Sequence, residues 1–187
     1  MSISRRLLLA AIVLLAVFGQ SSPVLAAEAK KADIVTLKSA YIVNFIRFTE
    51  WPKPPPGDEI TLEIVGDDEL YEVLRSFVRQ DVAKAIGLSV DTCSTAQCLK
   101  SAEVVFLGRS AVGYESTLEQ LKGLPVLTIS DMPGFVEQGG MIEIKYQNNQ
   151  LTFVVNRDAV ARAGLYISAQ LLQLGEVTGE VRGSDHE

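Results

Sequence analysis

The stretch Ala102 to Leu107 narrows what this chain can become more than any other. It is a nearly continuous apolar run with no alternation, as expected of a central strand covered on both faces. Pro125 to Ile129 reads the same way, and Ile60 to Val65 reads as a further strand. Helical patterns lie around them. Gly66-Asp67-Asp68 is a turn that caps a helix carrying Leu70, Val73, Leu74, Phe77 and Val78 on its buried face. Tyr114 to Lys122 is helical and stops at Gly123. Alternating strands and helices imply a mostly parallel sheet with helices on both faces, of the α/β class, with about six strands.

The remaining segments complete a single domain. Ile34, Leu37, Tyr41, Phe45 and Phe48 recur at spacings of three and four, and Ile42 and Ile46 widen the stripe, so an amphipathic helix starts near Asp33. Trp51-Pro52 ends it, and Lys53 to Gly57 is a stiff, Pro-rich connector. Leu88 to Asp91 is a short strand, and Cys93 to Lys100 is a polar loop or helical turn. Met141 to Tyr146 and Leu151 to Val155 flank Gln147-Asn148-Asn149-Gln150, which predicts a β-hairpin and makes the sheet mixed. Asn156 caps a last helix with the stripe Val160, Ala163, Gly164, Ile167, Leu171 and Leu174. We therefore expect the domain to span residues 27–175, with a loose polar tail over 176–187.

The first segment is an address. Arg5-Arg6 precedes the apolar stretch Leu7 to Gly19, and Val24-Leu25-Ala26 offers small residues where a signal peptidase reads. This predicts a secretory signal peptide over residues 1–26. The apolar stretch is shorter than the roughly 20 residues a membrane span needs.

Chemistry is limited by what the chain lacks. The net charge is −6, without the basic footprint of a nucleic-acid binder. With two cysteines and one histidine, the chain falls short of the four Cys or His ligands of a closed zinc site. His186 lies in the polar end, which argues against a histidine-based triad. Gly108-Arg109-Ser110 follows a buried strand as a nucleophile elbow would, but Val112 stands where the second glycine is needed. Gly139-Gly140 precedes a strand rather than a helix and so makes no phosphate cradle.

Two features hold a sharper reading beside a plain one. Asp67, Asp68 and Asp131 follow the carboxyl ends of strands, where open α/β sheets form their ligand crevice. They could hold a divalent ion or a small ligand; the plain reading is that they cap a helix and a turn. Cys93 and Cys98 should pair in an oxidising compartment, as a local staple or as a redox-sensitive one. Their C-x₄-C spacing is not that of thioredoxin-like enzymes.

Two ordered sets of residues carry a resemblance. The first is Lys38-Ser39-Ala40-Tyr41-Ile42-Val43-Asn44-Phe45-Ile46-Arg47-Phe48-Thr49-Glu50-Trp51-Pro52. The second begins at Leu127-Thr128-Ile129-Ser130-Asp131 and continues through Phe135, Gly139-Gly140-Met141-Ile142, Phe153 and Asn156. It ends at Gly164-Leu165, Ile167-Ser168 and Gln170-Leu171-Leu172, with Ala169 where a second serine is common. Together they resemble the hallmark blocks of the YfiR family of exported proteins.

The resemblance implies a non-enzymatic periplasmic repressor that needs no cofactor. Its implied partner is the periplasmic sensory region of an inner-membrane diguanylate cyclase, whose cytoplasmic output it holds off. It further implies sequestration by an OmpA-like outer-membrane lipoprotein, a tendency to homodimerise, control of biofilm growth, and inactivation under reducing stress. Any redox switch here must use Cys93 and Cys98. From their positions beside the Pro-rich connector and in the sheet-end loop, Arg47, Glu50, Trp51, Met132 and Phe135 are candidates for the partner surface. The competing expectation is a periplasmic small-ligand-binding module using Asp67, Asp68 and Asp131.

Overall fold

A computed structural model describes residues 23–79, 87–93 and 96–179. The chain divides at Ile34. Of the first unit, Met1–Ile34, the described part is the opening of a helix; the proposed signal peptide lies almost wholly outside the described residues.

The second unit, Val35–Glu187, carries the sheet. In chain order the elements are α1 (Pro23–Arg47), β1 (Thr49–Glu50), β2 (Ile60–Val65), α2 (Asp68–Val78), β3 (Leu88–Thr92), α3 (Ala96–Ser101), β4 (Val104–Leu107) and α4 (Tyr114–Leu121). There follow β5 (Leu127–Ser130), β6 (Ile142–Gln147), β7 (Gln150–Asn156), α5 (Arg157–Arg162), β8 (Tyr166–Ile167), α6 (Ala169–Leu172) and β9 (Glu176–Thr178). The main sheet has seven strands in the order β3-β2-β4-β5-β6-β7-β9. The first five run parallel, β6 and β7 form the antiparallel hairpin, and β9 lies parallel to β7. The expected α/β class, mixed sheet and hairpin are all present. Asn148 and Asn149 take positive φ at the hairpin turn, as their side chains permit.

The apolar runs are buried on both faces of the sheet. All four residues of β4, and all four of β5, are buried. On the near face, Val104, Phe106, Leu127 and Ile129 join Ile42, Phe45 and Ile46 of α1, with Leu70 and Leu74 of α2. On the far face, Val105 and Leu107 join Leu99, Leu118, Leu121 and Phe135. Phe45, Tyr41 and Phe153 meet edge to face, with Phe45 and Phe153 centroids 5.0 Å apart. Full burial of a side chain such as Phe45 contributes about 1.5–3 kcal/mol.

The structure corrects four expectations. The buried stripe of α1 is Val35, Lys38, Ser39, Ile42, Phe45 and Ile46; Leu37, assigned to the core, is 46% exposed. The face is turned because one lysine and one serine belong to it. The helix ends at Arg47, before Trp51-Pro52: the Thr49 hydroxyl donates to the Phe45 carbonyl at 2.7 Å, and Thr49–Glu50 pairs antiparallel with Tyr166–Ile167. The last helix is two helices separated by β8, because Gly164 takes φ +71° and Ser168 caps a new helix, accepting from the Leu171 N–H. Glu176–Thr178 is the edge strand β9 rather than loose tail; its polarity reflects solvent exposure.

Candidate functional site

At the carboxyl end of the parallel strands two loops interlock. Gly66 has φ +73°, and any Cβ there would run into the Ala111 backbone nitrogen. The Gly108 N–H donates to the Val65 carbonyl at 2.7 Å, and the Ser110 N–H donates to the Gly66 carbonyl at 3.3 Å. This close approach fixes Asp67 beside the loop after β4. Ser130 anchors the third loop: its hydroxyl donates to the Leu107 carbonyl at 2.6 Å and accepts the Met132 N–H at 3.0 Å.

A lysine joins these loops to α1. Lys38 Nζ donates to Asp131 Oδ2 at 2.8 Å and to Asp67 Oδ2 at 3.1 Å, and sits 5.5 Å from the Phe106 ring centroid. Its side chain is only 9% exposed, against 19% and 17% for the two carboxylates. Asp67 also caps α2, accepting the Leu70 N–H on Oδ1 at 3.0 Å. Arg109 reaches Asp131 from outside, with Nε 3.8 Å from Oδ1 and Nη2 donating to the backbone carbonyl at 3.3 Å. Two of the three predicted aspartates thus come together, and Asp68 stands apart, exposed in the first turn of α2. What sequence reasoning missed is the counter-charge. A lysine spaced three and four residues from the buried Val35 and Ile42 was the available signal. With Lys38 between them, the carboxylates are an internal clamp, since each already holds a charge-assisted bond.

The predicted partner residues separate into two groups. Arg47 and Glu50 are exposed at the end of α1 and in β1. Trp51 is half-buried against the near-face core, with its indole N–H buried and without an acceptor among the described residues. Phe135 is fully buried and Met132 is 9% exposed, both in the far-face core. Their apolar surface is used in packing under the sheet-end loop, so we withdraw them from the candidate surface.

On the far face, Cys93 and Cys98 form a disulfide that ties β3 to α3. Glu63, on the neighbouring strand β2, is 8% exposed, and its Oε2 has no hydrogen-bond partner among the described residues. Burial pushes its carboxyl above the ordinary 4.5, and the adjacent Asp91 charge pushes in the same direction.

This is an α/β domain whose two sheet-end aspartates share an internal lysine. Residues 35–176 match the YfiR/HmsC-like family model, and the chain belongs to that family. Among the described residues, no helix is long and apolar enough to cross a membrane. No curated protein sequence matches the chain. Among solved structures, a conserved domain protein from Vibrio cholerae O1 biovar El Tor shares the fold. It is 12% identical, with a TM-score of 0.55 over 75% of this chain and 60% of that one. The ABC domain in complex with L-Trp from Streptococcus pneumonia overlaps at a TM-score of 0.47, with 13% identity over 66% of this chain and 56% of that one. The chain thus spans less than two thirds of either matched structure.

Proposed function

We propose that this protein is a periplasmic repressor that binds the periplasmic sensory region of an inner-membrane diguanylate cyclase and lowers cyclic di-GMP output, restraining biofilm growth. The family match across residues 35–176 is the observation that carries this reading. Repression requires unequal affinity for the partner's two states: the repressor binds the inactive arrangement more tightly and shifts the population toward it. The exposed Arg47, just before the β1–β8 ribbon, and the exposed Glu50 within it supply charges for such a surface, with Trp51 as its rigid backing. An OmpA-like outer-membrane lipoprotein relieves repression by competing for the repressor, the repressor acts as a homodimer, and reduction of Cys93–Cys98 weakens it.

The test is intracellular cyclic di-GMP after deletion of the gene in cells expressing the cognate cyclase. Deletion should raise the level, and the wild-type gene should restore it. A folded, exported Arg47→Glu/Glu50→Arg variant should restore it only in part, because surface charges tune association. An unchanged level on deletion would overturn the repressor reading. Full restoration by the charge-swapped variant would remove this surface from it.

A further inference from the structure

A pocket of about 210 Å³ opens beside the β1–β8 ribbon, away from the Lys38 clamp. Its walls are apolar: Val155, Val160, Leu165, Ile167 and Leu172. Ala161 and Ala169 also line it, and its two polar side chains are Arg157 and Tyr166. Arg157 is half-buried, and its guanidinium makes no hydrogen bond, ion pair or ring contact with the described residues. The other buried or half-buried cations among the described residues behave differently: Lys38 holds two carboxylates, and Lys145 faces Glu176 at 3.6 Å. Tyr166 is 57% exposed, so its phenol stands at the rim.

An unpaired guanidinium partly withdrawn from water gains from an anion, and its planar fork matches the two oxygens of a carboxylate. The apolar walls demand a hydrocarbon body. The volume lies below the roughly 300–1,000 Å³ of pockets that hold drug-sized ligands, which limits that body to a short chain or branch. Glu50 lies directly opposite Tyr166 across the ribbon and is exposed there, so a second negative charge on the ligand would be repelled. We propose that this pocket binds a small aliphatic monocarboxylate, with Arg157 holding the carboxylate, the Tyr166 hydroxyl donating to it, and the hydrocarbon seated against Val155, Val160, Leu165 and Ile167.

The experiment titrates the purified protein with 4-methylpentanoate, its neutral amide 4-methylpentanamide, and the dicarboxylate glutarate, by calorimetry and by the fluorescence of Trp51, the sole tryptophan. Saturable binding of 4-methylpentanoate is expected, with the amide weaker by about tenfold or more, since a charge-assisted bond is lost. Arg157→Gln should lose the preference for the acid over the amide. Since Arg157 has no polar partner to abandon among the described residues, the variant should keep the wild-type unfolding midpoint. Ala169→Phe, at the pocket wall, should block both ligands and leave Arg157 in place. Equal affinity for acid and amide, tighter binding of glutarate, or undiminished acid binding by a folded Arg157→Gln protein would each overturn the assignment. So would the absence of saturable binding at millimolar 4-methylpentanoate.

Discussion

The two faces of the sheet are covered by helices fastened in opposite ways. On the near face, α1 lays Ile42, Phe45 and Ile46 into the larger core and is pinned at the strand ends by Lys38 between Asp67 and Asp131. On the far face, the short helix α3 contributes Leu99 and is tied back to β3 by Cys93–Cys98. Each face also buries a charged group within its packing. Near-face Lys38 has two carboxylate partners, although among the described residues Asp131 leaves Oδ1 without a hydrogen bond, and far-face Glu63 leaves Oε2 without one. Another far-face acid, Glu143, shows what satisfaction looks like: its Oε2 accepts the Val136 N–H at 3.3 Å. The near cover is therefore held by a large core and paired charges, and the far cover by a smaller cluster and one covalent bond. This makes the far face the one whose fastening redox conditions can reach.

The contrast is broken most severely by removing its strongest fastening. Lys38→Ala leaves two carboxylates facing each other at the strand ends without their cation. Breaking one side of a buried pair costs about 3–5 kcal/mol. Urea unfolding followed through Trp51 should show a loss of that size. The triple change Lys38→Met/Asp67→Asn/Asp131→Asn should recover most of it. No uncompensated charge then remains, and the amide oxygen introduced at position 67 can still cap α2. A loss below about 1 kcal/mol for Lys38→Ala would mean that the clamp is screened like a surface pair.

The near face also shows where sequence pattern was sufficient and where it was not. The unbroken apolar strands β4 and β5 could be read directly, because a strand buried on both faces needs no alternation. The hairpin was legible from Asn148-Asn149, and the caps at Asp67 and Asn156 from their side-chain oxygens. The clamp was only half legible. Asp67 and Asp131 stood out because sheet topology places strand ends together. Lys38 did not, because a lysine in an amphipathic stripe is ordinarily assigned to the solvent side, and only tertiary contact reveals its partners 29 and 93 residues away. Phe135 failed in the opposite sense. An aromatic in a Pro-Gly loop resembles a surface anchor, yet the turn folds it under Gly140, where a Cβ would strike its ring. β9 was missed because a polar edge strand has no apolar period to detect.

The second break is milder and falls on the far face. The loop closed by Cys93 and Cys98 is short, and the chain-entropy account gives about 2 kcal/mol for it. Cys93→Ser/Cys98→Ser, or reduction of the wild type, should lower stability by about that amount. Hydrogen exchange should rise in α3 and β3 while α1 stays protected. Equal loss of protection in α1 would show that the faces open together and that the covalent tie serves the whole fold.

The smallest effect should come from Glu63, and it has the opposite sign. Burial first, and the Asp91 charge second, raise its folded-state carboxyl above 4.5, so the folded chain holds a proton that the unfolded chain releases. By linkage, stability falls as pH rises from the ordinary carboxyl range through the raised value, and the penalty is fully present above it. Glu63→Gln keeps the shape and remains neutral at every pH. Its stability advantage over the wild type should therefore be near zero below about pH 4, where both side chains are uncharged, and grow to a plateau toward neutrality. Paired thermal midpoints across that range provide the measurement. A difference independent of pH would mean that Glu63 ionises without cost and that water already reaches it on the far face. The two faces would then differ in how they are fastened and not in how they exclude charge. A difference that grows with pH, and grows less after the Cys93–Cys98 tie is cut, would show the staple and the buried acid to be coupled, because opening this face hydrates the carboxylate and relieves its penalty.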